Sequence, residues 1–229
     1  MMPETMNGAP KKGSLPSDTN PPIVNEYGWL WLNRDGSPTL LTENVYANLL
    51  GTNSTARERL DLWSYLLAGK TEFWRAHRHY AGIVHFVYLT CSYPGVYTSD
   101  SFADVTRLKL DPAFADYMGE AFKPLGVYLN FFQPSLKAGE THTFTVMLVN
   151  DYSQPVSGTL ELKLETKEGQ SLARVEQVFG LAALGNVSVS VALGLPNSAT
   201  RSCVLTATAT GVGVKDKPTR CRRWVTVGP

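Results

Sequence analysis

At Pro124 the chain changes its rhythm, and that change constrains the fold more than any other feature. Beyond it, short segments alternate apolar and polar residues with a period of two: Phe144, Val146 and Leu148 interleave with Thr143, Thr145 and Met147. A strand of this kind has one dry face and one wet face. The dry face needs a second layer to cover it. The same pattern recurs over residues 126–131, 141–149, 158–166, 187–193, 203–210 and 222–227, separated by turn residues. About seven strands in about 105 residues predict an immunoglobulin-like β-sandwich.

Before Pro124 the pattern differs. Residues 1–20 are polar and rich in Pro, Gly and Ser, and read as a flexible leader. A short strand is expected over 22–26. A long connection follows over 27–54, with a turn at Asn33-Arg34-Asp35-Gly36 and a short helix over 43–50 ended by Gly51. Asn53 or Ser54 is the expected cap of a long helix running from Ala56 to about Tyr80. Its apolar positions Leu60, Trp63, Leu66, Leu67, Phe73 and Trp74 fall at helical spacing, and Gly69 is expected to interrupt or kink it. The run over 81–89 (AGIVHFVYL) is continuously apolar and of strand length, which suits a strand buried on both faces. Strand, helix and strand make a βαβ unit. A loop over 90–111 and a helix over 112–122 complete this part. The expected fold class is α+β in two parts, a βαβ unit followed by an all-β sandwich, with the boundary between residues 118 and 126.

Charge excludes some functions. Twenty-one basic and 20 acidic residues leave a net charge of +1, so nothing favours nucleic acid or an anionic membrane as a partner. No apolar run approaches the roughly 18 residues of a membrane span. No apolar signal core opens the sequence, which favours a cytoplasmic location. No metal or cofactor is expected: no Cys/His spacing matches a zinc site, His77 and His79 stand two apart and so off one helix face, and no glycine loop for phosphate is present. Cys91, Cys203 and Cys221 are too few for a disulfide framework. Cys203 and Cys221 either face each other across a hairpin or stand as free thiols, and free thiols are the expectation. Arg75, His77, Arg78 and His79, late in the long helix, suit its C-terminal dipole.

The segment Pro21-Pro22-Ile23-Val24-Asn25-Glu26-Tyr27-Gly28-Trp29 carries the chemistry. A strand that delivers one glutamate at its C-terminal end is how barrel enzymes present a catalytic group. Gly28 permits a sharp turn beside a ligand. The same residues also suit an ordinary strand end and turn. Residues 22–28 resemble the nucleophile motif of glycoside hydrolase family 2 and its relatives, which include β-galactosidases, β-mannosidases and β-glucuronidases. In that family the motif ends the seventh strand of a (β/α)8 barrel. A long helix, an eighth strand and often a β-sandwich follow. The resemblance implies that 21–122 is a partial (β/α)-barrel segment and 123–229 the sandwich. It covers only the last quarter of such a barrel, and the family's upstream Asn-Glu acid/base motif has no counterpart here.

The resemblance implies a glycoside hydrolase of β-galactosidase or β-glucosidase type, acting on β-linked sugars by a retaining mechanism with Glu26 as nucleophile. Retaining chemistry needs a second carboxyl group. Asp100 and Asp104, in the loop after the eighth strand, and Glu43, in the loop after Glu26, are the candidates within this chain. Another chain is the alternative supplier. Tyr27, Trp29, Trp31, His85 and Tyr93 are candidate sugar contacts, through aromatic faces or a hydrogen bond. Trp29 and Trp31 equally suit core packing, and His85 a satisfied core histidine. Two parallel strands cannot close a barrel, so apolar surface and open edges are expected to draw a homo-oligomer or a complementing chain. The other function the sequence allows is a non-catalytic carbohydrate-binding or complementing module that keeps a remnant of an active site.

Overall fold

The computed structural model describes residues 23–78, 80–198, 200–215 and 217–228. The expected leader, residues 1–20, and His79 of the basic cluster lie outside the described residues. The rest divide into two compact units. One begins at Glu120 and takes in Arg75–His77; the other holds the remaining described residues up to Gly119.

The first unit in chain order opens with β1 (Ile23–Asn25), which pairs in parallel with β2 (Gly82–Val84). Between them lie α1 (Val45–Leu50) and α2 (Ala56–His77). A small hairpin, β3 (Phe102–Asp104) and β4 (Lys109–Leu110), precedes α3 (Pro112–Ala121). The βαβ unit is therefore present, as a sheet of two strands.

Three local expectations change. The cap of α2 is Thr55, whose hydroxyl accepts from the Glu58 backbone N–H while the Glu58 side chain accepts from the Thr55 backbone N–H. That reciprocal box satisfies two orphan donors and outcompetes Asn53 and Ser54. Gly69 neither interrupts nor ends the helix, which runs unbroken through 22 residues. The apolar run 81–89 yields a strand of only three residues. It is not buried on both faces: Val84, Tyr88 and Leu89 are exposed. Ile23 and Asn25 share the open face with Val84, whereas Val24 and Ile83, on the opposite face, are more covered. With one face uncovered, nothing keeps the chain extended past Val84.

The second unit is a β-sandwich. One sheet orders β10 (Asn186–Gly194), β7 (Thr141–Asn150) and β5 (Leu125–Leu129). The other orders β6 (Ser135–Lys137), β12 (Thr219–Gly228), β11 (Thr200–Gly211), β8 (Val156–Thr166) and β9 (Ser171–Leu181). The alternation read from the sequence holds: Phe144, Val146 and Leu148 point into the core with Leu160, Leu162 and Leu164 of the facing sheet. Two strands absent from the sequence pattern appear, β6 and β9. β9 is an edge strand whose residues before Phe179 are at most partly covered, so its alternation is faint. Cys203 pairs in register with Val225 and Cys221 with Ala207, so the two cysteines do not face each other. Both are buried free thiols. Cys221 Sγ accepts the Leu129 N–H, 3.2 Å away, from the opposite sheet.

Arg75 and His77 stand in the last turn of α2 as expected, and Arg75 also serves this unit. Arg75 donates to the carbonyls of Ala121 and Lys123 (2.8 Å for the latter) and pairs with Asp151 at 2.6 Å.

Candidate functional site

The site is built at the C-terminal end of β1. The Glu26 N–H donates to the Val84 carbonyl at 3.1 Å, which continues the parallel pairing one residue beyond the strand. The chain then turns abruptly: Glu26 has φ +67 and Gly28 φ +84. A left-handed glutamate costs about 1–2 kcal/mol relative to an ordinary conformation. It leaves the Glu26 side chain exposed. Gly28 is needed twice over, because a Cβ there would overlap Leu67 Cδ1 as well as sit at positive φ.

The turn is stapled by side chains. Tyr27 is buried and its hydroxyl lies 2.7 Å from Thr71 Oγ1 on α2. Trp31 Nε1 donates to the Phe86 carbonyl at 3.1 Å, and its ring meets the Phe86 ring edge-on. Tyr46 donates to the Leu30 carbonyl at 2.5 Å, and Thr42 to the Trp31 carbonyl at 2.7 Å. Tyr27 and Trp31 are thus scaffold for the segment that carries Glu26. Trp29 and Tyr93 are exposed.

His85 directly follows β2. Its ring sits between Tyr27 (5.9 Å, edge-on) and Phe114 (5.8 Å). Burial lowers its pKa to about 4, so the imidazole is neutral at pH 7. Its Nε2 is buried with no hydrogen-bond partner among the described residues.

The three candidate acid/base residues are placed very differently. Asp100 has a fully buried side chain that takes a two-pronged ion pair from Arg34, 2.9 Å from Nε and 2.6 Å from Nη2. The backbone N–H groups of Thr90 and Phe102 also donate to it, at 3.0 and 3.1 Å. Burial pushes its pKa up, but the Arg34 and backbone donors outweigh that and hold it below the usual carboxylate range. A carboxylate so held keeps no proton to lend, so Asp100 is a structural pair and not an acid/base. Asp104 accepts the Arg107 N–H at 3.1 Å and closes the turn of the β3–β4 hairpin. Glu43 is exposed just before α1. Sequence reasoning missed the Arg34–Asp100 pair, because 66 residues separate its members and no local spacing announces it.

Among the described residues no group of His, Cys, Asp and Glu is arranged to hold a metal ion. No helix among them is long and apolar enough to cross a membrane.

No protein-family model matches the chain, and no curated protein does. Many solved structures align with part of it, and two serve as examples. One is a β-glucuronidase from glycoside hydrolase family 2, at 11% identity over 45% of this chain and 11% of that one, with a TM-score of 0.33. The other is a Paenibacillus sp. cycloisomaltooligosaccharide glucanotransferase complexed with cycloisomaltoheptaose, at 16% identity over 44% of this chain and 13% of that one, also with a TM-score of 0.33. The chain spans little more than a tenth of the length of either, and likeness at that level carries no argument about fold or chemistry.

Proposed function

We propose that this chain is related to glycoside hydrolases and that Glu26 acts as the nucleophile of a retaining β-glycosidase. The observation that carries the reading is Glu26 itself, an exposed carboxylate held at φ +67 at the C-terminal end of a parallel strand. Strain of this kind in a non-glycine residue gathers at functional sites. The βαβ unit, with β1 and β2 side by side, is the last part of a (β/α) barrel in this reading.

The Glu26 carboxylate attacks the anomeric carbon as the bond to the leaving oxygen breaks. A carboxylic acid about 5–5.5 Å away gives that oxygen its proton. The same group, now a base, takes a proton from water, which attacks the anomeric carbon and frees Glu26. With Asp100 tied to Arg34 and Asp104 to its own turn, the second carboxyl comes from Glu43 or from a further chain, a complementing protein or another copy of this one. That chain covers the open face of β1 and β2, where Ile23 and Val84 are exposed. Exposed Trp29 and Tyr93 offer ring faces to the sugar. Asp100's engagement equally favours a second reading, a non-catalytic carbohydrate-binding or complementing module.

Hydrolysis of a panel of nitrophenyl β-glycosides separates the two, because an activated leaving group needs little help from an acid. The expected outcome is slow turnover by the wild-type chain that disappears in Glu26→Gln, with the melting temperature unchanged. No turnover on any sugar, or equal turnover in the variant, removes the nucleophile assignment and leaves the binding module.

A further inference from the structure

One end of the sandwich is open. There the first residues of β7 face the short strand β6 and the end of β12, and between them lies a cavity of about 450 Å³. That volume falls within the roughly 300–1,000 Å³ of small-molecule sites.

Its walls are fixed by the backbone. Ala138 N–H donates to the Gly228 carbonyl at 2.7 Å, Gly139 N–H to Pro196 at 2.9 Å, and Thr226 N–H to Pro134 at 2.9 Å. The Leu195 N–H donates to the Glu140 carbonyl at 2.9 Å. Buried Leu136 and Gly228 complete the lining.

His142 occupies the open end of the core-facing row of β7, two residues before Phe144. Its ring is set by Phe144 (4.4 Å) and by Phe131 (5.4 Å, edge-on). Around the mouth stand the Gln133 amide, the Ser135 hydroxyl and the Lys137–Glu140 pair, joined at 2.8 Å. Amide, hydroxyl, imidazole, ammonium and carboxylate together present both donors and acceptors. The one cation and one anion of the rim neutralise each other, so the mouth favours neither an anionic nor a cationic ligand.

A mostly polar lining, an imidazole ring at the side and a neutral rim of mixed donors and acceptors match a compact neutral molecule dense in hydroxyls. We propose that this mouth is a binding site for a neutral carbohydrate, held by the sandwich alone. It goes beyond the glycosidase reading and does not need Glu26.

The test is an NMR titration of the full ¹⁵N-labelled chain with glucose, cellobiose, lactose and maltose, each against glucuronate and glucosamine as charged controls. The proposal expects saturable shifts of the Leu136, His142 and Gly228 amides with at least one neutral sugar, at roughly millimolar affinity. His142→Ala, and separately the exposed Glu140→Gln, should each weaken binding about fivefold, the cost of one hydrogen bond. Glu26→Gln should leave binding unchanged while abolishing any glycosidase turnover, which keeps the two readings apart. Absence of saturable shifts at these amides, wild-type affinity in both rim variants, or tighter binding of glucuronate or glucosamine than of glucose overturns the proposal. Glu140→Gln keeps it testable if His142→Ala fails to fold.

Discussion

In the sandwich, Leu160, Leu162 and Leu164 are wholly buried against the inner faces of Phe144, Val146 and Leu148, and the strands are joined by long regular ladders. In the βαβ unit, Ile23 and Val84 lie 59% and 52% exposed on one face of a sheet three residues long. The sandwich covers its own dry faces. The βαβ unit covers only one face of its sheet and holds the following loops with side-chain staples: Arg34 to Asp100, Trp31 to Phe86, Tyr46 to Leu30, Tyr27 to Thr71. Each region keeps its stability in a different place. The two sandwich sheets cover each other's inner faces, whereas a sheet of two short parallel strands has no second layer of its own for its other face. The exposed glutamate stands at the end of the sheet that is not closed.

Paired truncation separates the two regions by the largest effect. Leu162→Ala empties a fully buried site and should cost about 4 kcal/mol. Val84→Ala should cost less than about 0.5 kcal/mol, because the side chain already faces water. Urea unfolding of the two variants measures both. A large cost at Val84 would mean that its face is covered in solution, as self-association or a bound partner would do. The staples come next. Asp100→Ala leaves the Arg34 guanidinium without its partner and strips the Thr90 and Phe102 N–H groups of their acceptor. It should cost about 3 kcal/mol in chemical denaturation. A cost below about 1 kcal/mol would show that the loop does not depend on the pair.

The two regions also differ in how far the sequence reveals them. The sandwich strands announce themselves because each residue's side of the sheet is written in its polarity; Phe144 and Thr145 need no further context. β9 is the exception, since an edge strand with much of both faces wet has little alternation to show. In the βαβ unit the helices and the Asn33–Gly36 turn were legible from local spacing. The Gly36 N–H does reach the Asn33 carbonyl, at 2.8 Å. The strand over 81–89 was overextended because an apolar run reads as doubly buried only if a second layer exists, and local sequence does not carry that information. Glu26 was legible as a strand-end carboxylate, but its positive φ was not. Asp100 reads from the sequence as a candidate acid/base because its partner, Arg34, is distant in sequence.

His85 gives a pH-dependent view of the same unit. The unfolded chain takes up the imidazole proton near pH 6.5, the ordinary value, whereas the folded chain resists until about pH 4. Between those values the unfolded state binds more protons, so stability falls as pH drops from about 6.5 to about 4 and is constant below. The gap sets a ceiling of about 3 kcal/mol, and partial exposure of the ring brings the expected loss to about 2 kcal/mol. His85→Phe, which suits the surrounding Tyr27 and Phe114 rings, should flatten that part of the melting-temperature profile. An unchanged profile would place the ring in water.

The smallest expected effect discriminates best between a structural and a functional Glu26. A glutamate at φ +67 costs about 1–2 kcal/mol, and a glycine there avoids that cost but loses about 0.5–1 kcal/mol of chain entropy. Glu26→Gly should therefore raise stability by about 0.5–1 kcal/mol, while Glu26→Gln, which keeps the strain and removes the charge, should leave it within about 0.5 kcal/mol of wild type. A residue selected for folding would not sit where glycine is better; one kept for its carboxylate would. Thermal melts of the two variants at neutral pH read the difference directly. Stabilisation by glycine is what a strained functional residue produces. A loss of stability in both variants would mean that the carboxylate itself holds the turn together, and the strain would then no longer argue for chemistry at this position.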